Sequence, residues 1–331
     1  MKGIANMKVL ILGGGASGMM AALTAAEDPS NQVTLLERQS RVGKKLLVTG
    51  NGRCNLSNRN TDTGNYHGES PSFANYALSK FPVSDTLDFF SELGLITITE
   101  EDGKVYPFSD QANSVVDVLR LALDRRGVDV RCSCEVISLS KKARGYSVKT
   151  ANENFYADKV VVACGGPSGT KAGGTDLGLR LLSEMGHSLI PVKPALVQIK
   201  TDTTFTRSLK GVRADAGVTL KRSGIIVAKA AGEVQFTDYG ISGPTIFSLS
   251  RFAADGTDQL LLLDLLRPIP IDALKSMLLK KRAYSPQLPL ENFLTGMLHN
   301  RLGRVVLTCA GYSLADPSCT LTDKDIEEYE E

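Results

Sequence analysis

Apolar positions open this chain as a solid block: Val9, Leu10, Ile11 and Leu12 follow one another with no polar residue between them. Such a run, stopped by glycines, reads as a short strand buried on both faces. A helix-like run follows from Ala16, then a second apolar strand from Val33 to Leu36, closed by Glu37. Strand, glycine turn, helix and strand make a βαβ unit. Spacings of three and four then predict helices over residues 73–81 and 84–93, with Leu87, Phe90 and Leu93 on one face. Ile96–Ile98 and Val105–Phe108, separated by Glu101, Asp102 and Gly103, predict a hairpin. A helix over 112–126 gathers Val115, Val116, Leu119 and Leu123 and stops at Gly127.

Strands are expected at Val128–Arg131, Glu135–Ser140, Tyr146–Thr150 and Lys159–Ala163. The last is apolar at consecutive positions, the pattern of a central parallel strand covered on both faces. A helix over 175–186 precedes Gly186-His187. From Pro191 the texture changes to short strand-like runs: Leu196–Lys200, Gly217–Leu220, Ile225–Ala228, Glu233–Thr237 and Leu260–Leu266. Beyond Pro268 the spacing is helical, at Ile271–Lys281, Leu290–Leu302 and Thr322–Glu331. The expected organisation is α/β: a Rossmann-like nucleotide domain over 1–190, a β-rich insertion over 191–267 and its helical part over 268–331.

The first turn carries the chemistry. Gly13 permits a tight turn, Gly15 lets backbone approach a pyrophosphate, and Gly18 lets the helix pack against the strand. A helix opening at Ala16 and Ser17 aims free N–H groups and the positive end of its dipole at phosphate. Glu37 lies nineteen residues after Gly18, close to the roughly 20 at which a carboxylate meets ribose hydroxyls. An adenine dinucleotide is therefore the expected ligand.

Composition narrows the class. The 331 residues are 42% hydrophobic and 22% charged with a formal net charge of +2, ordinary for a globular protein and without a dedicated nucleic-acid surface. No apolar stretch reaches the roughly 18 residues of a membrane span. The basic-then-apolar start is broken by glycines, so Met1–Asn6 reads as a short tail and the protein as cytoplasmic. Six scattered cysteines form no secreted disulfide framework. Cys132 and Cys134, at a strand end, are expected on one face, and no second pair at zinc spacing accompanies them, so no metal is expected.

Residues 38–65 form a long polar loop, too long to be a simple connection. Its glycines and cations suit backbone wrapped around the second half of a long cofactor. Lys8–Gly18, Glu37-Arg38, Gly43–Lys45, the Thr49–Asn55 run TGNGRCN, Val162–Gly166 and the Phe236–Pro244 run FTDYGISGP together resemble one family. It comprises bacterial NAD(P)/FAD-dependent oxidoreductases, the BaiN-like flavoproteins of the two-dinucleotide-binding, glutathione-reductase-type superfamily. The resemblance runs from about residue 7 to the end.

The resemblance implies non-covalent FAD held by an N-terminal domain that carries a β-rich and helical insertion. It implies that Gly13, Gly15, Ala16, Ser17 and Gly18 cradle the pyrophosphate. Glu37 would bind the adenosine ribose, Arg38 would lie beside adenine, and Val136 would meet adenine through its backbone. Lys45 with Gly50, Asn51, Arg53, Cys54 and Asn55 would approach the ribityl and flavin portion, with Ala163, Gly165 and Gly166 beneath the cofactor. Family members continue for several tens of residues beyond a C-terminus such as this one, returning to the FAD domain; the chain is expected to lack that segment.

Lys44, Lys45 and Arg53 suit either stabilisation of a reduced flavin or neutralisation of phosphate. Cys54 has no second cysteine within 50 residues, which argues against a dithiol mechanism and for a packed thiol beside the cofactor. Cys164 reads as a small filler, His187 as a helix-end contact and His299 as the surface of an amphipathic helix. His67 follows the flavin block, and Tyr239 is either a general acid or packing; no catalytic residue is assigned. No second complete GxGxxG exists, so NAD(P)H is expected only as a transient electron donor. The leading expectation is an FAD-dependent oxidoreductase moving a hydride or electron pair between NAD(P)H and a small organic substrate. The alternatives are a non-catalytic or incomplete nucleotide-binding flavoprotein fragment, and a flavin-dependent tRNA modifier. Composition and motifs leave the oligomeric state open.

Overall fold

A computed structural model describes residues 6–254 and 258–327. Most of the expected N-terminal tail, and residues 328–331 of the expected last helix, lie outside the described residues. The chain divides into two units, Met1–Ile190 and Pro191–Glu331. The β-rich and the helical stretches both fall in the second. No helix among the described residues is long and apolar enough to cross a membrane.

The first unit begins with β1 (Lys8–Leu12), α1 (Ala16–Ala25) and β2 (Gln32–Leu36), the expected βαβ unit. The polar loop that follows contains tight helical turns over Leu46–Gly52 and a two-residue strand, β3 (Ser57–Asn58). Next come α2 (Ala74–Lys80), α3 (Val83–Glu92), the hairpin β4 (Thr97–Thr99) and β5 (Lys104–Pro107), and α4 (Ala112–Arg125). The unit continues through β6 (Asp129–Arg131), β7 (Val136–Lys141), β8 (Tyr146–Thr150), β9 (Asn154–Ala157), β10 (Lys159–Val162) and α5 (Leu177–Glu184).

The main sheet is parallel, in the order β10-β1-β2-β6. β1 is apolar from Val9 to Leu12 because it is covered twice. Val9 and Ile11 join Leu35, Leu23 and Leu119 in one core, and Leu10 and Leu12 join Leu36, Leu139, Val148 and Leu181 in another. The second core is roofed by the antiparallel sheet β7-β8-β9, of which β9 was not anticipated.

Two expectations fail here. β10 runs parallel to β1 as expected, but it is the edge of the described sheet and Val161 is 38% exposed. An apolar run does not report whether a strand's second edge is paired. Cys132 and Cys134 do not share a face: Cys132 packs on the core of α1 and α4, Cys134 on the opposite one. Ser133 between them has φ +54°, which breaks the alternation on which the expectation rested.

The second unit starts with β11 (Ile199–Lys200) and α6 (Thr203–Thr206), then the long hairpin β12 (Arg213–Arg222) and β13 (Ile225–Thr237). β14 (Gly240–Ser242), α7 (Pro244–Ala253) and β15 (Gln259–Asp264) complete an antiparallel sheet of order β11-β14-β13-β12-β15. α7 is a helix inside a stretch read as purely β. The missed signal is Gly243-Pro244, since proline suits the first helical position. α8 (Ile271–Tyr284), α9 (Asn300–Cys309) and α10 (Asp323–Glu327) follow.

The helix expected over Leu290–Leu302 does not form as one piece. A single turn at Leu290–Asn292 buries Leu290, Phe293 and Leu294, then Gly296 at φ +86° turns the chain. His299, expected within the helix, instead starts α9: its Nδ1 accepts the Arg301 amide at 3.2 Å.

Leu35 is fully buried beneath α1 and α4, so Leu35→Ala is expected to lower unfolding free energy by about 2–5 kcal/mol in urea titration. Val161→Ala, on the edge strand, is expected to cost about 1 kcal/mol or less.

Candidate functional site

The crevice is built where β1 ends. Gly13 turns at φ +108° and its amide donates to Leu36 O at 2.8 Å, tying the turn to β2. A Cβ on Gly13 would stand 2.5 Å from Ala163 O, so only glycine lets β1 and β10 close at this point. A Cβ on Gly18 would stand 1.8 Å from Gly13 O, which is the contact that presses α1 onto the turn. Gly15 is different: nothing lies within 4 Å of a Cβ placed there. Its absent side chain keeps open the approach to α1, whose first turn has no side-chain cap. Three glycines thus serve a turn, an approach and a packing contact.

Glu37 sits at the end of β2 with both oxygens engaged by backbone. Oε2 accepts the Gly14 amide and Oε1 the Gln39 amide, each at 2.7 Å. The carboxylate therefore holds the glycine turn and its own strand end, and keeps lone pairs free towards the crevice. Around it lies a cavity of about 400 Å³ with Gly13, Gly15, Ala16, Ser17, Glu37, Arg38, Lys45, Val136, Ala163 and Gly165 on its wall. These ten come from four separate stretches of sequence.

The rim carries cations. Lys45 Nζ donates to Ser168 O at 2.8 Å, Lys44 Nζ to Gln39 Oε1 at 2.9 Å, and Arg38 Nη2 to Gly173 O at 3.2 Å. Arg38 also lies 3.7 Å from Glu135. Burial pushes the Cys164 thiol up to about 11, with the Glu37 carboxylate adding to the effect; its Sγ lies 3.4 Å from Leu12 O. A protonated, packed thiol at this position offers no nucleophile at neutral pH.

Residues 7–316 match the family described as HI0933-like protein, Rossmann domain. The chain belongs to the HI0933-like family. The family is a Rossmann-domain family, and its match together with a relative named as a reductase makes this chain an oxidoreductase-type enzyme. A 3-dehydro-bile acid Δ(4,6)-reductase of Clostridium scindens is 39% identical over 300 residues, covering 89% of this chain and 73% of the relative. A ribosomal RNA dihydrouridine synthase of Escherichia coli is 26% identical, covering 88% of this chain and 71% of its own length. Among solved structures, a flavocytochrome c3 fumarate reductase in its open conformation gives a TM-score of 0.41 at 17% identity, over 63% of this chain and 47% of that one.

The remaining site residues of this HI0933-like chain lie off the cavity wall. Gly18 is behind the turn, and Gly166 is beyond the wall residue Gly165. Gly50, Asn51, Arg53, Cys54 and Asn55 form a separate knot under the β4–β5 hairpin. Gly50, Asn51, Gly52 and Cys54 all have positive φ, from +54° to +86°. Arg53 pins the knot: it pairs with Glu100 at 2.8 Å and with Asp110, and lies 3.9 Å from the centre of the Tyr106 ring. Those two carboxylates raise its already high pKa further. Cys54 is buried in the α1–α4 core, which raises its thiol pKa.

The wall also includes Gln39, Thr49, Gly173, Thr175 and Leu177, which the sequence reading did not select. Gly174 would place a Cβ 2.1 Å from Ser168 O, so the 166–175 loop closes tightly at that glycine. The Gly169, Gly173 and Gly174 spacing was the available signal. In the second unit, the Phe236–Pro244 run is a hairpin that feeds α7. Gly240 meets Ile199 O and Gly243 meets Glu233 O too closely for any side chain. Tyr239 is 42% exposed at the hairpin tip, and His67 is exposed. His187 donates its amide to Leu182 O at 3.0 Å beyond α5, a helix-end contact.

Gly18→Ala is expected to lose about 3 kcal/mol of stability, whereas Gly15→Ala should lose less than about 1 kcal/mol, both read by urea unfolding. At pH 8, alkylation followed by mass spectrometry should modify exposed Cys319 well ahead of Cys164. The Cys164 thiolate becomes abundant only as pH rises towards about 11.

Proposed function

We propose that this chain binds FAD without a covalent link and moves a hydride or electron pair between NAD(P)H and an unsaturated organic molecule in the cytoplasm. One observation carries the reading: an uncapped helix start, an open glycine and the Glu37 carboxylate share a single crevice. Phosphate oxygens suit the amides of Gly15–Gly18, and ribose hydroxyls suit the remaining lone pairs of Glu37. Arg38 and the backbone at Val136 then flank adenine. Lys45, with the Gly50–Asn55 knot, serves the ribityl and flavin end, and Ala163, Gly165 and Gly166 run beneath.

FAD, when bound, supplies the hydride-accepting and hydride-donating atom. The protein's part is positioning. Glu37 orients the turn, Gly13 and Gly18 hold it against the sheet, and Lys44 and Lys45 place positive charge at the rim. Arg53 is committed to Glu100, Asp110 and Tyr106, so its role here is to shape the knot rather than to offer a free cation.

The unsaturated substrate is inferred from the relatives' names. A Δ(4,6)-reductase and a dihydrouridine synthase both speak of hydrogen added to a double bond. The second relative also keeps an RNA reading open, and the 39% identity to the bile-acid enzyme favours a small molecule over it.

Titration of FAD, NADPH and ADP into the purified chain tests the proposal. FAD should bind with a thermal shift, and Gly15→Ala should weaken FAD and ADP together while leaving unfolding in urea nearly unchanged. NADPH oxidation should then depend on an unsaturated steroid carboxylate and not on ribosomal RNA. Dependence on RNA instead would select the second reading. FAD binding with no NAD(P)H oxidation would select a non-catalytic protein, and no FAD binding at all would sink the proposal.

A further inference from the structure

The second unit contains a larger cavity, of about 970 Å³, whose whole wall lies between residues 217 and 326. It forms because the two faces of one sheet differ. Ala216, Val218, Val234 and Phe236 point to the face packed by α7. By alternation Gly217 and Thr219 on β12, Lys229 and Ala231 on β13, and Leu262 and Asp264 on β15 point the other way. That second face is low at Gly217, Thr219 and Ala231, with longer side chains at Lys229 and Leu262. Opposite stands the helical cluster, from which Leu278, Phe293, Leu294, Leu307, Leu321 and Ile326 line the space while being 8% exposed or less.

The space is open to solvent where Lys229, Ala231 and Asp264 are exposed, and its deep wall is apolar. Leucine and phenylalanine walls give water no hydrogen-bond partners and lose dispersion contacts where no atom faces them. The volume falls within the roughly 300–1,000 Å³ typical of small-molecule sites, which are apolar with a few polar anchors. Two charged residues reach the wall, Lys229 and Asp264. Asp264 is occupied: its Oδ1 accepts the Leu266 amide at 3.1 Å, and the Arg267 charge is nearby. The ammonium of Lys229, exposed opposite Thr219, has no ion pair or side-chain hydrogen bond among the described residues.

We infer that this cavity binds an apolar monocarboxylate, its hydrocarbon body against the helical cluster and its carboxylate at Lys229. The charge chooses the head group and the leucine wall chooses the body. The inference is independent of the dinucleotide crevice, because no residue of the first unit lines the cavity.

The test uses the full chain and cis-parinaric acid, a fluorescent polyene carboxylate, which can be read cleanly because the protein has no tryptophan. Binding should be saturable and displaced by palmitate or by lithocholate; whichever displaces better tells a chain from a fused-ring body. Palmityl alcohol should compete about tenfold less well than palmitate, and Lys229→Glu should weaken the probe by about tenfold or more. Ala231→Leu, which fills the floor, should abolish binding while circular dichroism and FAD binding stay unchanged. Lys229→Glu, at an exposed position, keeps the test valid if Ala231→Leu does not fold. Absence of saturable binding, or binding that neither variant changes, overturns the inference. So does a dimer in size-exclusion chromatography that excludes the probe.

Discussion

The carboxylate of Glu37, accepting the Gly14 amide, is the contact on which the crevice depends. It fastens the end of β2 to the turn that leaves β1, and a second amide from Gln39 fixes the direction of the loop beyond. A hydrogen bond to an ionised acceptor is stronger than one between neutral groups. Here two of them meet on one side chain. The glycine turn is thereby held in the conformation that leaves the start of α1 unobstructed, and the same residue lies on the crevice wall.

Around that contact the first unit is arranged in layers. A parallel sheet is covered by α1 and α4 on one face and by the β7-β8-β9 sheet on the other. Both coverings bear on the crevice: α1 presents its N-terminus and β7 presents Val136. The loop after β10 closes the far side through Gly173 and the carbonyl of Ser168, which the lysine and arginine of the opposite rim grip. The cations thus cross-link the walls as well as charging them. The Gly50–Asn55 knot is stabilised separately, by an arginine held between two carboxylates over a tyrosine ring.

The second unit solves a different problem with the same alternation of side chains. One face of its long hairpin builds a conventional core with α7; the other keeps glycine, alanine and threonine towards a leucine-rich helical cluster and leaves room between them. The run from Phe236 to Pro244 looked chemical in the sequence, and in the fold it is a turn and a helix start whose glycines meet backbone. Unusual residue combinations at tight backbone crossings and at ligand sites can look alike along the chain.

The βαβ opening, the turn at Gly13, the close packing at Gly18 and the position of Glu37 were legible because they are local: period, glycine spacing and a strand end lie within thirty residues. Local pattern also gave α4, the β4–β5 hairpin and the change of texture at Pro191. It could not give the edge position of β10, the opposite facing of Cys132 and Cys134, or the break at Gly296. Each depends on a pairing partner or on one residue with positive φ. Nor could it bring residues 163–177 to Glu37 or separate the 50–55 knot from the cavity wall. Those placements follow from which strands pair and which loops pack, and such long-range contacts are chosen by the whole core rather than by any window of the chain.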